Sequence, residues 1–238
     1  MMTAKDFAAK CEDIARNYKT VYVWGAVGMP VNANTVADKL AQYPAQNQVY
    51  CARARELIGK DYWMFDCVNL AKAVLWGWCG NRNAYYGGAK YCSNGVPDVS
   101  ADGMIAKCPD ATTNFGSIAV GEALWLPGHF GVYIGNGLGV ECTPAWKNGV
   151  QITAVGNIGA KSGYPTRTWK KHGKLPYVDY TGAKPDENKT GKIIVDGVTY
   201  PVDVVLINGT NYIKVRDLAA ILGLKVSNKG SIAVLNTK

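Results

Sequence analysis

The run from Asp66 to Trp78 constrains this chain most. Val68, Ala71, Leu75 and Trp78 fall on one face of a helix, and Leu70 and Val74 widen that face. A helix apolar over most of its girth must be enclosed by other elements. Asp66 is a good N-cap, which places Cys67 at the first helical position. A chain of 238 residues can build one sizeable core and a small second domain around such a helix.

The elements available to enclose it are legible. Residues 3–18 place Phe7, Cys11, Ile14, Ala15 and Tyr18 at helical spacing, with Thr3 as cap and Asp6 at the capping-box position. Residues 21–24 read as a short strand stopped by Gly25. The stretch 34–59 reads as helix broken at Pro44, with Val36, Leu40, Val49, Ala52, Leu57 and Ile58 as its apolar contacts. Residues 80–113 are rich in Gly, Asn, Tyr and Pro, and predict long loops with short helical turns. Strands are expected at 123–126, 129–134, 138–143 and 149–154, with Gly135-Asn136-Gly137 as a hairpin turn.

Residues 181–191 form a polar linker with Gly, Pro and charges. Beyond it, strands are expected at 192–195, 198–207, 211–215, 224–227 and 231–235, with a helix over 216–222 ended by Gly223. The boundaries are therefore 1–180, 181–191 and 192–238.

The net charge of +8 is spread as +5 over residues 1–180 and +3 over the rest. A nucleic-acid binder would show a basic stripe or a reading motif, and neither is present. A diffuse excess suits a polyanionic surface, or solubility alone. No apolar run is long enough to cross a bilayer, and the first residues lack the apolar segment of a secretory signal. The expected location is the cytoplasm, with any extracellular action following release by another factor.

Seven cysteines and no Cys-x-x-Cys pair argue against both a disulfide framework and a structural zinc site. Cys67 differs from the other six in its place at a helix N-terminus, where the exposed N–H groups favour a thiolate. On this ground Cys67 is expected to be the thiol that alkylates fastest. Of the two histidines, His172 sits in the basic run Lys170-Lys171-His172-Gly173-Lys174 and reads as an inert surface residue. His129 reads equally as a structural strand histidine or as a catalytic base. A hairpin centred on Gly135 would set His129 opposite Glu141, whose carboxylate could then orient the imidazole. A glutamine at 141 should also accept from the imidazole, so Glu141→Gln is expected to be mild.

These residues carry a resemblance. Tyr22-Val23-Trp24-Gly25, Phe65-Asp66-Cys67-Val68-Asn69-Leu70, Gly128-His129-Phe130-Gly131-Val132-Tyr133-Ile134-Gly135-Asn136-Gly137 and Val140-Glu141 resemble the signature blocks of the NlpC-type cell-wall cysteine peptidases. The likeness covers about residues 3–178 and is nearest to the phage and prophage endolysin branch. Val68-Asn69-Leu70 stands where that family commonly has Ser-Gly-Leu, and Glu141 stands where many members have His. Residues 207–223 resemble a small stalk domain named after the N-terminus of copper amine oxidases, which has no copper site of its own.

The resemblance implies an α+β protein: a papain-like catalytic domain, with N-terminal helices packed on an antiparallel sheet, and a small α+β C-terminal domain. It implies a peptidoglycan hydrolase that needs no cofactor or metal and cuts between D-γ-glutamate and the diamino acid of the stem peptide. Cys67 would be the nucleophile, His129 the base and Glu141 its orienting partner. The oxyanion and substrate set would draw on Tyr22, with Tyr62 as an alternative, together with Asp66, Trp63 and Trp146. Trp76, Tyr85 and Tyr86 are further candidates for the cleft walls. The C-terminal domain would bind peptidoglycan or anionic wall polymers, or pair with a second copy. An N-acetylmuramoyl-L-alanine amidase and a non-catalytic wall-binding protein are the rival readings. A zinc amidase would have to work with a two-histidine ligand set.

Overall fold

A computed structural model of the chain describes residues 1–181, 189–207, 210–213, 215–229 and 232–237. The chain divides into two compact units, Met1–Ala183 and Lys184–Lys238. Helices and antiparallel strands are both present in each, so the class is α+β.

The first unit opens with β1 (Met2–Thr3) and α1 (Ala4–Asn17). Thr3 Oγ1 accepts from the Asp6 N–H at 3.1 Å and donates to its carboxylate at 2.7 Å, so the expected cap is formed. Phe7, Cys11 and Ile14 make the buried stripe of α1. Strands β2 (Lys19–Tyr22) and β3 (Val27–Pro30) follow, then α2 (Ala33–Gln42) and α3 (Pro44–Arg55). Pro44 starts α3 at a position where its missing N–H costs nothing. The side of α3 turned inward is not the expected one. Asn47, Cys51 and Ala54 are buried, whereas Val49 is 74% exposed. Asn47 decides this, because its carboxamide binds both the N–H and the C=O of Trp24 and also the C=O of Lys39. Ile58, beyond the helix, is also exposed.

Strand β4 (Tyr62–Phe65) lies between β2 and β3, parallel to the first and antiparallel to the second. It runs straight into Asp66 and α4 (Cys67–Leu75), every residue of which is buried. The helix stops before Trp78, with Trp76 at the C-cap and Gly77 at φ +92°. The loop region holds one short helix, α5 (Ala101–Ile105).

The remaining strands are β5 (Ala123–Leu126), β6 (His129–Gly135), β7 (Leu138–Thr143), β8 (Gly149–Val155), β9 (Thr166–Arg167), β10 (Lys171–Gly173) and β11 (Val178–Asp179). Six of them form one sheet in the order β10-β5-β6-β7-β8-β9, while β11 pairs with β1. The sheet is antiparallel except at β8–β9. Helices α1 and α4 pack on β6, β7 and β8. Phe7, Cys11, Leu70, Phe130, Val132 and Val140 belong to the core cluster between these layers. Burying an aliphatic or aromatic side chain of this kind contributes about 1.5–3 kcal/mol.

In the second unit, β12 (Lys189–Val195), β13 (Val198–Ile207) and β14 (Thr210–Ile213) form a meander. Asp196 and Gly197 both have positive φ, as a two-residue hairpin turn between paired Val195 and Val198 requires. Helix α6 (Val215–Ile221) and the hairpin β15 (Lys225–Lys229) and β16 (Ile232–Asn236) complete it. Of the expected linker, residues 182–188 lie outside the described residues and 189–191 belong to β12.

Candidate active site

Asp66 caps α4 by accepting the Asn69 N–H at 2.7 Å, and its other oxygen accepts the Gly25 N–H at 2.9 Å. One carboxylate thus joins the N-terminus of α4 to the turn after β2. Cys67 follows it, 6% exposed. Its thiol points to the Gly128 carbonyl, with Sγ and O 3.9 Å apart, and the Phe130 N–H points back at the sulfur. Both chain neighbours of His129 therefore touch the nucleophile candidate. Gly128 is itself pinned, since its N–H and the Trp125 indole N–H both donate to Asp102 at 2.8 Å.

His129 Nε2 lies 2.7 Å from Glu141 Oε2. The pairing comes from a register other than the expected one. Glu141 is opposite Gly131, not His129, because the hairpin turn is Asn136-Gly137, with φ +54° and +73°, and Gly135 pairs with Leu138. The shift is two residues, so His129 and Glu141 keep one face and meet diagonally. Gly131 lies between them without a side chain. A Cβ there would come within 2.8 Å of the Trp169 ring. Trp169 instead lies flat against the His129 imidazole, with ring centroids 5.5 Å apart and planes 7° apart.

Glu141 is wholly buried. Besides His129 it is held by Arg167, whose Nε is 2.8 Å from Oε1 and 2.7 Å from Oε2, and by the Thr153 hydroxyl, which donates to Oε1 at 2.8 Å. Thr153 stands two residues beyond Gln151, the β8 partner of Glu141, and so shares its face. Arg167 arrives on β9.

Burial pushes the Glu141 carboxyl up, but the hydrogen bonds and charges of His129 and Arg167 outweigh it and hold the group below its usual range. Burial has the opposite final effect on Cys67. Together with the Asp66 charge it pushes the thiol up to about 12, against the N–H groups of Phe130, Val68 and Cys67 itself. The helix N-terminus acts in the expected direction and loses to desolvation, so the resting group is a thiol rather than the expected thiolate. Burial likewise raises Asp66 to about 6, although Asn69, Lys72 and the Gly25 N–H favour its charged form.

Cys67 and Asp66 open onto a cleft of about 470 Å³ that reaches Gly128 and is also lined by Tyr22. Tyr62 lies away from this cleft. The aromatic walls are Trp24, Tyr43, Tyr86 and Tyr91, of which only Tyr86 was among the expected wall residues. Trp63 is a correction: it is 2% exposed, edge-on to Trp78 at 5.0 Å and covered by Arg82, because β4 turns it into the core. Trp76 is also core, with its indole N–H on the Val96 carbonyl, and Tyr85 is exposed on Asp38. Trp146 is 54% exposed and outside the cleft. It is linked to the site through Arg167, whose guanidinium lies 4.7 Å over its ring. Asn69, where the resembled family has Gly, donates to Asp66 and buries its Oδ1 without a partner.

His172 is the other correction. It is 2% exposed on β10, with Nδ1 on Glu122, Nε2 on the Asn114 carbonyl and Phe115 against its ring. The lysines around it are solvated, but strand alternation turns the imidazole inward. Thr153, Arg167 and Trp169 were not foreseen. The alternation Arg167-Thr168-Trp169 was the available signal.

Among the described residues, no group of three His, Cys, Asp or Glu side chains is placed to hold a metal ion, and no helix is long and apolar enough to cross a membrane. No protein-family model matches the chain, and no curated protein matches it.

Proposed function

We propose that the first unit is a cysteine peptidase of bacterial peptidoglycan, with the papain-like arrangement of a helix-borne Cys and a sheet-borne His, and that the protein works as an endolysin. The observation that carries the reading is the buried Glu141 carboxylate, which accepts from His129, Arg167 and Thr153, with His129 following directly on Gly128, whose carbonyl faces the Cys67 thiol. His172 also has a buried carboxylate partner, Glu122, but His129 differs from it in that link to Cys67.

In this mechanism Nε2–H of His129 stays on Glu141, which leaves Nδ1 to exchange protons. As Sγ of Cys67 attacks the amide carbonyl carbon, the thiol proton passes to Nδ1. The oxyanion is met by the Cys67 N–H and the Tyr22 hydroxyl, and loss of one such donor costs about 10²–10³-fold in rate. The imidazolium then protonates the leaving amine, and the carbon–nitrogen bond breaks to give a thioester. Water, losing a proton to Nδ1, attacks the thioester and releases the acid, and the proton returns to sulfur. Trp169 and Glu141 fix the ring plane throughout.

The bond proposed is that between D-γ-glutamate and the diamino acid, on the strength of the sequence resemblance. The second unit is proposed to bind the wall, through peptidoglycan or its anionic polymers, or to pair with a second copy. Thiol-blocking reagents should abolish hydrolysis of purified peptidoglycan, and chelators should leave it unchanged. Loss of activity in chelator, restored by zinc, would move the assignment to a metalloamidase.

A further inference from the structure

We infer that Lys39 forms a subsite for a free carboxylate of the ligand in the Cys67 cleft. The ligand's identity as a wall peptide rests on the peptidase reading, whereas the subsite itself rests on the geometry.

Two lysines of the cleft are buried, Lys39 at 5% exposure and Lys72 at 3%. Lys72 is paired. Its ammonium binds Asp98 and the Val99 carbonyl, and the Tyr91 hydroxyl occupies the other Asp98 oxygen. Lys39 is not. Its ammonium can donate three hydrogen bonds, and one goes to Gln42 Oε1 at 2.8 Å. The Tyr43 ring faces it with its centroid at 5.7 Å. Among the described residues, no carboxylate comes within 4.0 Å of it. A buried ammonium without a counter-ion is unfavourable unless something supplies the missing acceptor. Burial lowers its affinity for the proton, and the more distant Asp66, Asp98 and Asp38 oppose that.

Its position relative to Cys67 is set by hydrogen bonds and close packing. Asn47, wholly buried, donates to the Lys39 carbonyl at 2.8 Å and exchanges two hydrogen bonds with the backbone of Trp24 at 3.0 Å. The next residue, Gly25, donates to the Asp66 cap. A Cβ on Gly25 would lie 2.3 Å from the Tyr43 ring, so that ring rests directly on the Gly25 backbone. An unbroken path of contacts therefore runs from Cys67 through Asp66, Gly25 and Tyr43 to the Lys39 ammonium. The charge of the expected group follows from the surroundings. Asp66, Asp98 and Asp102 also line the cleft, and they would repel a dianion such as phosphate. One unpaired ammonium matches one carboxylate.

The test uses the full-length Cys67→Ala protein and two alanyl-D-γ-glutamyl-lysine peptides, one with both α-carboxyls free and one with both amidated. Calorimetry should find the acid bound about tenfold to a hundredfold more tightly, the range of a charge-assisted hydrogen bond. Adding Lys39→Met should remove that preference and leave the amide's affinity unchanged, while Lys39→Arg should keep most of it. If Lys39→Met does not fold, Lys39→Gln takes its place. Equal affinity for the two peptides, no binding of either, or an undiminished preference without the lysine would overturn the subsite. Carboxylate preference in a protein whose Cys67 form cuts neither peptide nor wall would instead overturn the peptidase reading and leave the subsite standing.

Discussion

Glu141→Gln is the most informative single substitution, because the structure reverses what the residue type suggests. Glu141 accepts from three donors: His129 Nε2–H, Arg167 Nε–H and the Thr153 hydroxyl. A carboxamide has one oxygen and one NH₂ group. Turned one way, the NH₂ meets Arg167 and Thr153, and a guanidinium 19% exposed is left without its counter-ion. Breaking a buried pair from one side costs about 3–5 kcal/mol, and the partial exposure of Arg167 favours about 3. In a unit of this size that lowers the melting temperature by roughly 6–12 °C. Turned the other way, the NH₂ donates to Nε2 and drives the proton to Nδ1, the wrong tautomer for accepting one from Cys67. That error costs on the order of 10³–10⁴-fold in turnover. The assays are thermal unfolding at pH 7 and kcat/KM on soluble stem-peptide fragments. A variant within tenfold of wild-type activity that melts within about 2 °C of it would refute the three-donor account.

Gly131→Ala should displace Trp169 from the His129 ring, because the added Cβ would meet it at 2.8 Å; turnover should fall while far-ultraviolet circular dichroism is unchanged. Without substrate, Cys67 should alkylate more slowly at pH 7 than the exposed Cys79 and Cys92, since burial keeps it a thiol; peptide mapping by mass spectrometry reads the order, and Cys67 reacting first would contradict it. Burial raises Asp66 from 3.8 to about 6 in the fold, so its contribution to stability is full below 3.8 and lost as pH rises through 6. Urea unfolding at pH 4 and pH 7 should therefore find wild type losing up to about 3 kcal/mol relative to Asp66→Asn over that interval, and no pH-dependent difference would refute the shift. A chain ending at Thr181 keeps the Tyr180 hydroxyl on the Gly121 carbonyl. It should still cut soluble fragments but no longer sediment with intact walls.

Much of the first unit was legible because its signals are local. Thr3 and Asp6, Pro44, Asp66 and the Asn136-Gly137 turn each act over three or four residues, and each is where its chemistry demands. The positions of Cys67, His129 and Glu141 follow from one helix start and one hairpin. The hairpin register was off by two, yet parity kept Glu141 on the face of His129. What could not be read depends on long-range pairing. Arg167 reaches Glu141 because β9 adds in parallel to β8; the alternation Arg167-Thr168-Trp169 puts Arg167 and Trp169 on one face but does not name the strand they pair with. His172 looked solvated because its neighbours are lysines, and Glu122, which buries it, is 50 residues away. The state of Cys67 was misjudged for a related reason. The helix N-terminus is visible in the sequence, but the enclosure that outweighs it comes from β3, β6 and β7 packing on α4.

The central claim is that Cys67 attacks a stem-peptide amide. Purified peptidoglycan should be digested with wild type and with Cys67→Ala at equal concentration, and the products analysed by mass spectrometry after labelling new amino groups. The account predicts that wild type releases fragments with a new amino terminus on the diamino acid and that Cys67→Ala releases none. The same fragments from both proteins would contradict it.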